Sequence, residues 1–506
     1  MADAPVHADA AVPEGLLTAF RAYETALMAD DVAALDALFA AGPATLRGDA
    51  AGLLVGHEAI AAFRRGRGGA PAREIAAVHV RVLGPDLATV VAELRPVAGG
   101  HGLQTQTWRR GPAGWQVLAA HVSGAAPAVD GRVWRVVGTP LVAGAAEGPL
   151  RGRGVAVKDL FAIAGQRIGA GVPAHLAEAP VESSTASAVQ VLLDAGAEVT
   201  GIARTDELAY SIAGANPHYG TPPNARVPGA LPGGSSSGPA SAVALGQAAI
   251  GLATDTAGSV RVPASYQGLW GLRTTRGRIA RDGLVPLAPS FDTVGWLTRE
   301  RAVLAACSRV SGRGAPAAAA PDVFAVDPGL LDGLDADVAD VFRARVARLT
   351  PEAVDPGDVA EALEAFRVVQ AAEAWAEHGA WLTAHPKAVS GAVAERIRAA
   401  AGIDADEAAR ARDALDGARE RFAAALEGAV LLLPSTAAPA PRSTAPADEV
   451  DRARSATLRL TCIAAILGAP ALSAPLLEVG GAPLGLCLVG PRDSDDALVH
   501  LAASLG

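Results

Sequence analysis

The sequence predicts an α/β protein, a mixed sheet flanked by helices and preceded by a small α+β cone. Three features point there. Residues 13–41 repeat apolar positions at helical spacing, residues 75–123 hold four period-two stretches, and from 151 onward strand-like apolar runs alternate with helical ones. At roughly 100–200 residues per domain, 506 residues imply two to four units.

Composition excludes several classes. There are 43 Lys and Arg against 53 Asp and Glu, a formal net charge of −10, which disfavours nucleic acid or an anionic membrane as the main partner. Cys307, Cys462 and Cys487 cannot make a disulfide framework, and no Cys/His spacing resembles a zinc site. The first residues, MADAPVHADAAVPEG, lack the basic and apolar regions of a secretory signal. No uncharged apolar run approaches the roughly 20 residues a bilayer requires. A soluble cytoplasmic protein is expected.

The amino-terminal unit spans 13–123. Leu16, Leu17, Phe20, Tyr23 and Leu27 mark a first helix, and Ile60 and Phe63 a short one after Gly56. Strands are expected over 75–83, 87–95, 103–110 and 115–123, with turns at Gly84-Pro85-Asp86, Gly99-Gly100 and Gly111-Pro112. Gln104, Gln106 and Trp108 then share one strand face. Helices against a curled meander make a cone whose concave side can hold a small molecule. Residues 124–150, rich in Ala, Gly and Pro, read as a linker. The remainder, 151–506, is expected to hold strands at 154–157 and 198–202, helices over 184–195 and from Pro239, a helical region at 335–428, and buried strands in 469–490.

The most unusual stretch is Gly233-Gly-Ser235-Ser-Ser-Gly238, followed by Gly251-Leu-Ala-Thr-Asp-Thr-Ala-Gly-Ser259-Val-Arg-Val-Pro263. A flexible linker fits poorly, because apolar helix-forming residues follow at once. A nucleophile elbow needs a strand directly before it, which Pro228-Gly-Ala-Leu-Pro-Gly233 cannot supply. A phosphate loop needs Gly-Lys-Ser/Thr, and the chain has two lysines, Lys158 and Lys387. On these residues alone, a catalytic serine loop and a structural loop both stand. Lys158 leaves an apolar strand, and reads either as a snorkelling lysine or as a desolvated amine able to act as a base. His175, His218 and His378 have no spacing that selects one for a Ser-His-Asp set. Tyr266, Trp270, Phe291 and Trp296 read as core, with acyl-pocket lining as the alternative.

Together, Gly154-Val-Ala-Val-Lys158-Asp, Gly233-Gly-Ser-Ser-Ser-Gly238 and Thr254-Asp-Thr-Ala-Gly-Ser-Val-Arg261 resemble the amidase signature family. The resemblance continues through Gly268–Gly277, Gly283-Leu-Val-Pro286, Ser290-Phe-Asp-Thr-Val-Gly-Trp296, Gly468-Ala-Pro-Ala471 and Pro483–Pro491, and so covers 151–506. The string at 290–296 looks most like the indole-3-acetamide-hydrolase branch. The resemblance implies a Ser-Ser-Lys triad with Ser259 as nucleophile, Ser235 as bridge after a cis Gly234–Ser235 peptide, and Lys158 as base. It also implies an oxyanion hole from the backbone N–H groups of Thr256, Ala257, Gly258 and Ser259. Gly234, Asp255 and Arg261 then support the loops. Many family members carry Gly where this chain has Ala257.

The implied reaction is hydrolysis of a small amide, urea or carbamate through an acyl-enzyme, with no metal or organic cofactor. A non-catalytic amidase-fold docking module, or the amidase subunit of an ammonia-channelling transamidase, is the rival expectation. A homodimer is left open. The amino-terminal unit resembles the SnoaL-like cone, and more narrowly the AtzH-like domains, through Arg64-Arg-Gly-Arg-Gly68, Gln104-Thr-Gln-Thr-Trp108 and Gly114–Ser123. Tyr23, Arg47, Arg64, Arg65 and Arg67 are its candidate carboxylate-binding residues, a solvated arginine face being the alternative.

Overall fold

A computed structural model describes residues 4–49, 52–67, 70, 72–96, 102–123, 129–312, 314, 317–319 and 321–505. The chain divides into two compact units, Met1–Val129 and Asp130–Gly506. Among the described residues no helix is long and apolar enough to cross a membrane.

In the first unit the helices Leu16–Met28, Val32–Ala37 and His57–Arg67 pack on a seven-stranded sheet. Asp31 caps the second helix by accepting the Ala34 N–H at 2.9 Å. The four expected strands are present as Arg73–Gly84, Leu87–Pro96, Gly102–Gly111 and Gly114–Ser123, each antiparallel to the next. Three others, Val6–Ala8, Leu46–Asp49 and Gly52–Val55, are too short to display a period-two pattern.

The inward face carries a buried polar network. Gln104, Gln106 and Trp108 do share one face, and all three are fully buried. Gln104 Nε2 donates to Glu24 Oε1 at 2.5 Å, and Arg73 Nη2 donates to Glu24 Oε2 and Gln104 Oε1, both at 2.9 Å. Trp108 Nε1 donates to Gln106 Oε1 at 3.1 Å. These groups bond one another, while Arg73 Nε and Gln106 Nε2 are buried without a partner among the described residues. A space of about 30 Å³ is edged by Tyr23, Arg47, Arg64 and Arg73, and a larger one of about 760 Å³ is lined by Phe20, Glu24, Arg73 and Val78 among others.

The second unit is built on an eleven-stranded mixed sheet. Its order is Glu352–Ala353, Phe324–Val326, Val430–Pro434, Ala482–Val489, Ala471–Val479, Trp270–Arg273, Thr293–Thr298, Ile250–Asp255, Gly154–Lys158, Glu198–Ala203 and Trp134–Val142. The two central strands, Ile250–Asp255 and Thr293–Thr298, are buried at every position, as strands covered on both faces must be.

The edge strand Trp134–Val142 corrects the expected linker at 124–150. It pairs antiparallel with Glu198–Ala203, and the Trp134 indole is buried and donates to Gln247 Oε1 at 2.6 Å. An edge tolerates Pro140, so its Gly/Pro content concealed a strand.

The helical region is present as Ala336–Val346, Val359–Ala384, Gly391–Ala400 and Ala405–Leu426. Asp358 and Asp404 cap its two long helices. Phe366, Phe422 and Leu415 from these helices join Phe291, Tyr266 and Leu458 in one apolar cluster beside the sheet. Trp296 lies in the cluster on the other face, and Trp270 packs partly buried against it. Asp495 ties the last helix, Asp495–Leu501, to the sheet by accepting the Thr275 N–H and hydroxyl at 2.8 and 2.7 Å.

Glu24→Ala leaves the Arg73 guanidinium without its carboxylate in a buried setting. It is expected to lower the unfolding free energy of the first unit by about 3 kcal/mol, read by urea denaturation.

Candidate active site

Three elements of the second unit bring Lys158, Ser235 and Ser259 into contact. Lys158 is the last residue of Gly154–Lys158, a strand between two parallel neighbours. Leu252 lies opposite Val157, so Lys158 and Thr254 emerge side by side from adjacent strand ends. The Lys158 ammonium has no solvent exposure. Its Nζ donates to Ser235 Oγ at 2.8 Å and to Thr254 Oγ1 at 2.8 Å. Ser235 Oγ in turn donates to Ser259 Oγ at 3.0 Å. Lys158 is therefore not a snorkelling lysine; it ends a hydroxyl chain.

Ser235 sits in an irregular loop that leads into the helix Ser237–Ala244, with no strand before it, so the nucleophile-elbow alternative falls. The Gly234–Ser235 peptide is cis. Gly234 admits no side chain, because a Cβ there would lie 2.5 Å from Asp206 Oδ2 and 2.6 Å from the Gly214 nitrogen. Asp206 holds this loop by accepting from Gly214 N–H at 2.9 Å and the Ser237 hydroxyl at 3.0 Å. The Ser235 carbonyl accepts from Thr205 Oγ1 at 2.8 Å.

Ser259 lies between the strand Ile250–Asp255 and the helix Arg261–Gln267. Asp255 organises this turn. It accepts from Arg261 Nε and Nη2 at 3.0 and 2.8 Å and from Arg273 Nη1 at 3.0 Å. It also accepts the Gly258 and Val260 N–H groups at 2.9 and 3.1 Å. The Gly258 N–H, expected among four oxyanion donors, is thus already bound to a carboxylate.

The N–H groups of Thr256, Ala257 and Ser259 have no acceptor among the described residues. Arg273 Nη1 donates to the carbonyls of Asp255 and Thr256 at 2.6 and 3.3 Å. A trans peptide directs its N–H opposite to its C=O, so the Thr256 and Ala257 N–H groups point away from Arg273.

Burial sets the electrostatics. It lowers the Lys158 pKa from 10.5 to about 7, against the attraction of Asp206, Asp255 and Asp292. Burial raises the carboxyls of Asp206 and Asp292. Asp255 also feels burial, but Arg261 and Arg273 hold it well below the usual carboxylate range. Asp292, which accepts from Thr256 Oγ1 at 2.5 Å and from the Leu287 and Ala288 N–H groups, braces the nucleophile loop from the other side. Thr254, Asp206 and Asp292 were not singled out from the sequence. The strand-end register at Thr254 and the 290–296 string containing Asp292 were the available signals.

Ser259 opens on a crevice of about 10 Å³, lined also by Tyr210, Thr256, Ala257, Gln370 and Arg454. That is close to room for a single water, so side chains must yield to admit a substrate. The three histidines lie elsewhere. His218 contacts Glu207 Oε1 at 2.9 Å, His378 the Pro286 carbonyl at 2.8 Å and His175 the Ile168 carbonyl at 3.1 Å. In the first unit Tyr23, Arg47 and Arg64 converge, whereas Arg65 is exposed and the Arg67 side chain lies outside the described residues. Arg47 pairs with Asp49 at 2.8 Å, and Arg64 Nη1 donates to the Leu35 carbonyl at 2.7 Å.

An amidase family model matches residues 139–332 and an AtzH-like family model residues 7–127. Amidase 1 of Oryza sativa subsp. japonica is 31% identical over 399 residues, covering 71% of this chain and 90% of that protein. A 2-amino-5-chloromuconic acid deaminase of Comamonas testosteroni is 33% identical over 381 residues, covering 71% and 82%. A crystal structure of an amidase superposes with a TM-score of 0.64 at 31% identity, covering 71% of this chain and 86% of that one. The chain belongs to the amidase family of C–N bond hydrolases, and it carries an AtzH-like domain ahead of its amidase part.

Proposed function

We propose that the chain is a serine amidohydrolase acting on small amides, ureas or carbamates, with Ser259 as nucleophile, Ser235 as proton bridge and Lys158 as terminal base. The observation that carries this reading is the continuous contact from Lys158 Nζ through Ser235 Oγ to Ser259 Oγ, at 2.8 and 3.0 Å. A serine hydroxyl needs a neighbour to take its proton before it attacks. Neutral Lys158 takes the Ser235 proton, Ser235 takes that of Ser259, and Ser259 Oγ bonds to the carbonyl carbon. The oxygen that becomes negative is met by the free N–H groups of Thr256, Ala257 and Ser259.

As the C–N bond breaks, Ser235 delivers its proton to the departing nitrogen and is reprotonated from Lys158. Water, deprotonated by the same relay, then releases the acid and restores Ser259. The methyl of Ala257 borders the crevice and narrows the approach, without removing its N–H. Three buried, unpaired cysteines suit a reducing cytoplasm.

Ser259→Ala is expected to lower kcat/KM on every cleaved amide by about 10⁴-fold or more while leaving urea denaturation unchanged. A fluorophosphonate should label wild-type Ser259, and an unlabelled, inactive wild type would instead favour a non-catalytic docking module.

Lys158 acts in its neutral form, so protonation below pH 7 removes the base. The rate kcat/KM should therefore fall tenfold per pH unit below about 7 and level off above it. Lys158→Met should erase that limb and lower the rate by about 10³-fold, measured as a pH–rate profile on one amide.

A further inference from the structure

The crevice at Ser259 is also lined by an arginine, Arg454, that makes no hydrogen bond among the described residues. Arg454 lies on the helix Ala447–Leu467. That helix is fastened to the nucleophile loop where Thr461 Oγ1 donates to the Ala257 carbonyl at 2.6 Å and the Thr461 carbonyl accepts from Arg261 at 2.9 Å. Residues 454, 458 and 461 fall on one helix face, at spacings of four and three. Fixing Thr461 therefore aims Leu458 and Arg454 at the crevice, and both line it together with Ser259.

The Arg454 side chain is 19% exposed, and its Nε is buried without a hydrogen-bond partner. Its one ion pair among the described residues is with Asp451, at 3.6 Å, beyond hydrogen-bond reach. Asp451 is itself 67% exposed, so that pair contributes little. Other buried arginines nearby are used: Arg261 and Arg273 by Asp255, and Arg396 by the Tyr210 carbonyl, to which it donates twice. Burial, and then the like charge of Arg396, lower the Arg454 pKa to about 10, which leaves it cationic at neutral pH. The crevice contributes no acidic side chain of its own. Gln370 and Tyr210 also line it, and neither side chain makes a hydrogen bond among the described residues.

Keeping an uncompensated guanidinium in such a place is costly unless an anion meets it. We propose that the amides cleaved at Ser259 carry a carboxylate, held by Arg454 with Gln370 and the Tyr210 hydroxyl as neutral donors. One cation and two neutral donors suit a monoanion, and the planar guanidinium fork matches a carboxylate in two parallel hydrogen bonds. This assignment rests on the hydrolase reading above, and it makes Arg454 the specificity-determining residue of that site.

The test measures kcat/KM for the monoamides of malonic, succinic and glutaric acids against propionamide, butyramide and valeramide, their neutral counterparts. In the wild type the best carboxylated probe should exceed its neutral counterpart by about 100-fold. Arg454→Gln should bring that ratio to within about threefold of unity, and Arg454→Lys to an intermediate value. A wild type without preference overturns the assignment, as does an Arg454→Gln enzyme that loses both activities equally and keeps the ratio. If Arg454→Gln does not fold, the wild-type ratio and that of Arg454→Lys decide. Turnover of the neutral amides without preference leaves the hydrolase reading standing. Failure of Ser259 to react with a fluorophosphonate, with no turnover of either series, overturns both.

Discussion

Asp255 is fully buried, yet it stays ionised because two guanidiniums and three backbone N–H groups converge on it. Each of these contacts fixes a different part of the amidase unit. Arg261 links the carboxylate to the helix Ala447–Leu467 through the Thr461 carbonyl. Arg273 brings in the neighbouring strand and, by binding the carbonyls of Asp255 and Thr256, turns the N–H groups of Thr256 and Ala257 the other way. The Gly258 and Val260 N–H groups bend the chain between strand and helix, so that Ser259 faces Ser235. Removing the carboxylate would strand two buried cations, a loss no rearrangement of surface charge could offset.

The same dry interior sets the character of Lys158. Withdrawn from water, its ammonium loses solvation, and the carboxylates of Asp206, Asp255 and Asp292 recover part of that loss. Burial wins, so the amine titrates near neutrality. Asp255 is spoken for by its arginines, while burial weakens the tendency of Asp206 and Asp292 to ionise. None of the three touches Lys158 Nζ, whose hydrogen bonds go to two hydroxyls. A carboxylate in direct contact would have kept the lysine charged and unable to accept a proton.

Much of this was legible in the chain. Lys158 ends an apolar run, and the glycine–serine loop precedes helix-forming residues, so an unusual lysine and an unusual serine loop were visible without a fold. The four long strands of the first unit and the long helices of 335–428 follow from their periods. The edge strand Trp134–Val142 did not show, because Gly138 and Pro140 mimic a linker and an edge strand needs hydrogen bonds on one side only. Nor did the packing of the cone interior, where Glu24, Arg73 and Gln104 bond one another across separations of up to 80 residues.

Residue types and local order established the family's serine and lysine motifs and the periods of the strands, because these depend on neighbours a few residues apart. The fold alone settled which hydroxyl meets which, since Lys158, Ser235 and Ser259 are separated by 77 and 24 positions. It also settled that Gly258 spends its N–H on Asp255 and that Arg454 reaches the crevice of Ser259. Those outcomes rest on the register of parallel strands and on a distant helix anchored by Thr461. No short stretch of sequence encodes such long-range geometry.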